Sequence, residues 1–131
     1  MNITADTNVL IRAVVQDNVE QAAIAVQQLR NASLIAVSLP CLCEFVWVLK
    51  RVYQFDNQAI AQAIRALLET QTVAMNRPSV ERGLMLLEAG GDFADGVMAV
   101  EGAWLGGETF VSFDRKAIKL LAKQGHSVKL L

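Results

Sequence analysis

The sequence predicts an α/β domain of three layers, α/β/α, around a central, mostly parallel five-stranded sheet. Short apolar segments alternate along the chain with longer stretches whose apolar residues recur at helical spacing, the order expected of parallel strands joined by helices. The chain has 131 residues, 53% of them hydrophobic and 19% charged, so it is too apolar for disorder and long enough to bury a core without staples. No linker, repeat or low-complexity run divides it, and residues 1–131 are expected to form a single domain.

Asn2-Ile3-Thr4-Ala5 reads as the first strand, and a short helix from Thr7 should carry Val9, Leu10 and Val14 inward. From Asn18 to Arg30 the stripe Val19, Ala22, Ala23, Val26, Leu29 marks a second helix. Leu34-Ile35-Ala36-Val37 is a strand closed by Ser38 and Pro40. Pro40 opens the next helix, where its missing N–H costs nothing, and Leu42, Phe45, Val46 and Leu49 face the core. A helix from a cap at Asn57 to Glu69 repeats Ile60, Ala63, Ile64, Leu67 and Leu68. Thr72-Val73-Ala74-Met75 is a short strand, and Ser79 to Glu88 a helix stopped by Gly90-Gly91. Asp92 caps a helix running to about Leu105. Thr109-Phe110-Val111-Ser112 is a strand, followed by a helix to Gln124 and a last strand, Val128-Lys129-Leu130.

Composition removes several functions. Cys41 and Cys43 are the only cysteines and His126 the only histidine, too few for a Cys/His zinc site; buried, reduced thiols and a surface histidine are expected. No apolar run reaches the roughly 18 residues of a membrane span. Met1-Asn2-Ile3-Thr4-Ala5-Asp6 lacks the basic start of a signal peptide, so a cytoplasmic location is the expectation. A net charge of −1 does not announce a nucleic-acid binder. Beyond Asp114, however, there are cations and no acids: Arg115, Lys116, Lys119, Lys123 and Lys129. Such a run is ordinarily a solvated helix face, and phosphate binding is its other reading.

Four acids remain: Asp6 after the first strand, Glu44 early in the Pro-initiated helix, Asp95 in a first helical turn, and Asp114 just past Ser112. Open parallel sheets place ligands at the C-terminal ends of their strands. Carboxylates gathered there raise one another's pKa unless a cation neutralises them, and Mg²⁺ or Mn²⁺ suits an all-oxygen set. Three of these acids, and Asp92 beside them, also have a structural reading. Asp6, Asp92 and Asp114 suit helix caps, and Glu44 suits a first helical turn.

Asp6-Thr7-Asn8, Glu44, Asp92-Phe93-Ala94-Asp95 before Val97-Met98-Ala99, and Ser112-Phe113-Asp114 together resemble the PIN-domain family, over essentially the whole chain. In length and order the chain looks most like the VapC-type toxins of toxin–antitoxin pairs. The resemblance implies a Mg²⁺- or Mn²⁺-dependent endoribonuclease that cuts single-stranded or loop RNA. Asp6, Glu44, Asp95 and Asp114 would bind metal and catalyse, and Asn8 and Ser112 would support them, with Asp92 either a cap or a participant. Ser112 stands where the family usually has Thr, which keeps the hydroxyl. A homodimer and a cognate antitoxin are implied partners, and the Ala59–Leu68 stretch offers apolar material for an interface.

Other readings are weaker. A haloacid dehalogenase-type phosphatase needs an acid where Asn8 stands, and a receiver domain needs an acceptor Asp where Met75-Asn76-Arg77 follows the third strand. A catalytically silent PIN-like domain that binds RNA or protein is the non-enzyme alternative, although no acid is missing. Trp47, Trp104 and Phe45 lie in apolar stripes and are expected to pack in a core or interface rather than stack on bases. Arg12, Lys50 and Arg51 are further candidates for phosphate contacts.

Overall fold

A computed structural model describes residues 1–131, with seven helices and five strands in the order β1 (Asn2–Thr4), α1 (Thr7–Val15), α2 (Val19–Asn31), β2 (Leu34–Ala36), α3 (Leu39–Arg51), α4 (Asn57–Glu69), β3 (Val73–Ala74), α5 (Arg77–Glu88), α6 (Phe93–Trp104), β4 (Phe110–Ser112), α7 (Arg115–Lys123) and β5 (Val128–Leu130). Every expected element forms, and most boundaries shift by a residue or two. The chain divides into two compact units, Met1–Asn76 and Arg77–Leu131.

In the first unit β1, β2 and β3 form a parallel sheet in that order, with Ile3 opposite Ile35 and Ile35 opposite Val73. Its rungs include Ile35 N–H to the Thr72 carbonyl at 2.8 Å and Ala5 N–H to the Ala36 carbonyl at 3.0 Å. Leu10, Ile11, Leu42, Phe45, Leu49, Ile60 and Ile64 are fully buried, which accounts for the helical stripes of α1, α3 and α4. Two details differ from expectation. On α1 it is Ile11 that is buried, while Val14 is 40% exposed. On α2 the buried residues are Ala22 and Ala25, and Val19 lies at the exposed N-terminus.

Helix starts are set by side-chain caps: Asn18 accepts from Gln21 N–H at 3.1 Å, Ser38 from Cys41 N–H at 3.3 Å, and Asp56 from Ala59 N–H at 2.8 Å. Asp56, not Asn57, therefore caps α4. On α4, Ile60, Ala61 and Ile64 are buried, while Ala59, Ala63, Leu67 and Leu68 are half-buried and Ala66 is exposed.

In the second unit β4 pairs with β5 alone, in parallel, with Phe110 opposite Val128 and Ser112 opposite Leu130. The expected single five-stranded sheet is thus replaced by a sheet of three strands and a sheet of two. The strands are two or three residues long, so each ladder has few rungs, and β4 gives its ladder to β5. Leu86, Ala99 and Leu121 form a core on which Phe110, Leu120 and Val128 pack.

The approach of α5 to α6 requires two glycines. A Cβ on Gly96 would stand 2.8 Å from both the Arg82 carbonyl oxygen and the Gly83 Cα, and one on Gly83 would stand 2.8 Å from the Phe93 ring. No helix is long and apolar enough to cross a membrane.

Candidate functional site

Asp6 ends the extended segment of β1 and caps α1, its Oδ1 accepting from Thr7 N–H at 2.7 Å. That bond fixes the carboxylate and occupies one oxygen. A carboxylate has about four acceptor positions, so capping leaves capacity for a metal or water. Glu44 is exposed on α3, three residues beyond Cys41 and so on a neighbouring part of the same helical face.

Cys41 reports on both acids. Burial pushes its thiol pKa up, Thr7 offsets this by hydrogen bonding, and the charges of Asp6 and Glu44 push it up further. Asp6 and Glu44 therefore share one electrostatic neighbourhood in the first unit. Both cysteines are free; Cys41 is buried and Cys43 only half-buried. Asn8, expected to support the acids, is exposed in the first turn of α1.

In the second unit three acids act together. Asp92 caps α6 by accepting from Ala94 N–H at 3.1 Å, and Asp114 caps α7 by accepting from Lys116 N–H at 3.0 Å and Ala117 N–H at 3.1 Å. Ser112 Oγ accepts from Asp114 N–H at 2.9 Å, giving the hydroxyl a defined task. Asp95 lies half-buried in the first turn of α6, beside Gly96 where that helix is pressed against α5. Burial raises its carboxyl pKa to about 6, with Asp92 and then Asp114 adding repulsion. No cation or hydrogen-bond donor is among the groups acting on it.

The structural and chemical readings thus hold together. Asp6, Asp92 and Asp114 are caps, and Asp92 and Asp114 also surround an uncompensated Asp95. No three Asp, Glu, His or Cys side chains form a ready-made metal cage. The donor chemistry still suits Mg²⁺ or Mn²⁺, because Mg²⁺ keeps several waters and needs only one or two carboxylates.

Other candidates resolve differently. Arg12 is committed to a network, donating from Nε to Gln21 at 2.6 Å and from Nη1 to Asp17 at 3.2 Å and Tyr53 at 3.3 Å. Lys50 donates to Asn57 at 3.0 Å. Phe45 is core, as expected, but Trp47 and Trp104 are more than half exposed rather than packed in the fold. His126 is half-buried with its Nε2 unpartnered, and burial, then Arg82, lowers its pKa.

Two residues escaped the sequence reading. Thr7 is buried beside Cys41, for which no pattern gave a signal. Phe113, between Ser112 and Asp114, is 79% exposed. The alternation of β4 is the signal for it, since Phe110 and Ser112 are half-buried and Val111 exposed.

The family profile of the PIN domain matches residues 3–123, spanning both units. No curated protein and no solved structure matches the chain.

Proposed function

The chain belongs to the PIN-domain family, whose members are generally nucleases, and from that premise we propose that it is a divalent-metal-dependent endoribonuclease of the toxin–antitoxin class. Asp6, Glu44, Asp95 and Asp114 are the catalytic and metal-binding acids in this reading, supported by Asn8, Ser112 and Asp92. The observation that carries it is Asp95: a half-buried carboxyl with a pKa raised to about 6, next to two further acids and with no compensating cation. A structural carboxylate is normally placed where its charge is stabilised, whereas perturbed acids cluster at functional sites.

Bound Mg²⁺ or Mn²⁺ would neutralise these acids, polarise a phosphoryl oxygen and lower the pKa of water near it. Asp95 and Asp114 offer it hard oxygen ligands, with Asp92 maintaining the negative potential that attracts it. Ser112 holds the Asp114 backbone, and the Asp114 cap in turn orients that carboxylate. Asp6, held by Thr7 N–H, is likewise oriented before any ligand arrives. Glu44 is exposed and able to accept a proton from an attacking water. The substrate in this reading is single-stranded or loop RNA, and the partners are a cognate antitoxin protein and a second copy of the chain.

A catalytically silent RNA- or protein-binding domain is the second reading, favoured by the lack of a three-residue metal cage. Cleavage of a mixed single-stranded and structured RNA pool, with Mg²⁺, Mn²⁺ or EDTA, separates the two. Metal-dependent cutting by inhibitor-free protein, abolished in folded Asp6→Asn and Asp95→Asn variants, is the expected result. Absence of cutting by folded protein on every RNA offered, with RNA binding retained, selects the silent domain.

A further inference from the structure

Phe113 is 79% exposed, although burying such a ring gains about 1.5–3 kcal/mol. Its backbone is held on both sides. Ser112 Oγ accepts from Asp114 N–H at 2.9 Å, and Asp114 Oδ1 accepts from Lys116 N–H at 3.0 Å and Ala117 N–H at 3.1 Å. A ring with two side-chain torsions on a pinned backbone loses little entropy on meeting a flat partner.

Cations stand near it, beside the acid Asp114. Period-two alternation continues from Val111 to Phe113, and Val111 is itself 54% exposed and lies opposite Lys129 of β5. Arg115 and Lys116 follow in the first turn of α7, both exposed, with Lys119 exposed on the next turn. No ion pair or hydrogen bond engages the charged ends of Arg115, Lys116, Lys119 or Lys129. An exposed aromatic face bordered by free cations is the combination that holds unpaired nucleotides, the ring taking a base and the cations the phosphates. Exposed Val111 would also suit a protein partner, but the free cations beside the ring complement phosphates and favour RNA as the occupant.

We propose that Phe113 is a stacking platform for an unpaired RNA base, with Arg115, Lys116 and Lys129 engaging the neighbouring phosphates. Resting on the nuclease reading for its purpose, the platform presents a single strand beside Asp114, the next residue, whose Cα is about 3.8 Å away. A base paired within a duplex has no free face to offer, so Phe113 selects single strands or loops.

The test is fluorescence anisotropy of labelled single-stranded RNA with the 131-residue chain in EDTA, where no metal-dependent cutting occurs. A strand of equal length with abasic positions carries the same phosphates without bases. Phe113→Ala is expected to weaken binding of the normal strand by roughly 5- to 100-fold, with Phe113→Trp restoring it. Binding of the abasic strand is expected to be weaker and indifferent to residue 113. Arg115→Gln with Lys116→Gln should weaken both strands and flatten the salt dependence.

Equal binding of the normal strand by wild type and Phe113→Ala overturns the proposal, as does a loss of equal size on the abasic strand. So does a change of oligomeric state in Phe113→Ala without a change in RNA affinity, because a second copy then covers the ring. Metal-dependent cutting that Phe113→Ala leaves intact on single strands sinks the platform and spares the nuclease. Phe113-dependent binding by a protein that cuts nothing does the reverse.

Discussion

The hydroxyl of Ser112, the last residue of β4, accepts the backbone N–H of Asp114 at 2.9 Å, so the strand end and the cap of α7 are one hydrogen-bonded turn. Replacing Ser112 by Ala removes that bond and leaves Asp114 held only by its own cap on Lys116 and Ala117 N–H. The expected outcome is a loss of about 1 kcal/mol in stability and a fall of about tenfold in kcat for RNA cleavage, with Ser112→Thr near wild type. Urea unfolding and single-turnover cleavage of the three proteins check this. Equal rates in Ser112→Ala and wild type would deny the turn its role.

Asp95 makes metal-free stability fall as pH rises. Its folded pKa of about 6 lies above the ordinary 3.8, so between those values the folded protein retains a proton that the unfolded chain has released. The contribution is fully present below about pH 4 and lost as pH passes 6. Solvent reaches this half-buried group, so the loss is discounted to about 1–2 kcal/mol. Urea unfolding in EDTA at pH 4.5 and 7.5 should show this component in wild type and lack it in Asp95→Asn. Millimolar Mg²⁺ should restore wild-type stability at pH 7.5 only. A pH dependence identical in the two proteins would contradict the assignment.

Asp6 separates capping from chemistry. Asn caps helices as well as Asp does, so Asp6→Asn should leave stability within a few tenths of a kcal/mol, whereas Asp6→Ala should cost about 1 kcal/mol. Cleavage is expected to fall by at least about 100-fold in both, as the negative oxygen is lost in both. An active Asp6→Asn enzyme would reduce Asp6 to a cap. Thermal unfolding beside cleavage rates gives the answer.

Gly96 and Gly102 lie on one helix and should respond oppositely to alanine. At Gly96 the new Cβ meets the Arg82 carbonyl and the Gly83 Cα at 2.8 Å, backbone atoms that move only if α5 moves. Gly96→Ala is expected to cost about 3 kcal/mol or more, and to displace Asp95 with it. Gly102 has nothing within 4 Å, so Gly102→Ala should be neutral or gain up to about 1 kcal/mol from helix propensity. Denaturant midpoints of the two variants decide it; a harmless Gly96→Ala would mean that the helices can separate freely.

By itself the sequence determined the alternation of strands and helices, the caps at Asp6, Asp92 and Asp114, and the acidic motif of the PIN family. These depend on periodicity, strand-end position and local capping chemistry, all short-range properties of neighbouring residues. Tertiary structure alone decided that the strands form a sheet of three and a sheet of two, because strand pairing is made between distant segments. It also decided which face of α2 is buried, since Ala22 and Ala25 lie inside while the more hydrophobic Val19 and Ile24 lie outside. The pKa of Asp95 is likewise tertiary. It arises from burial first, and then from Asp92 and Asp114. Charge and solvent exposure act through space, so the acids could be named from the sequence, but which one lacks a compensating charge could not.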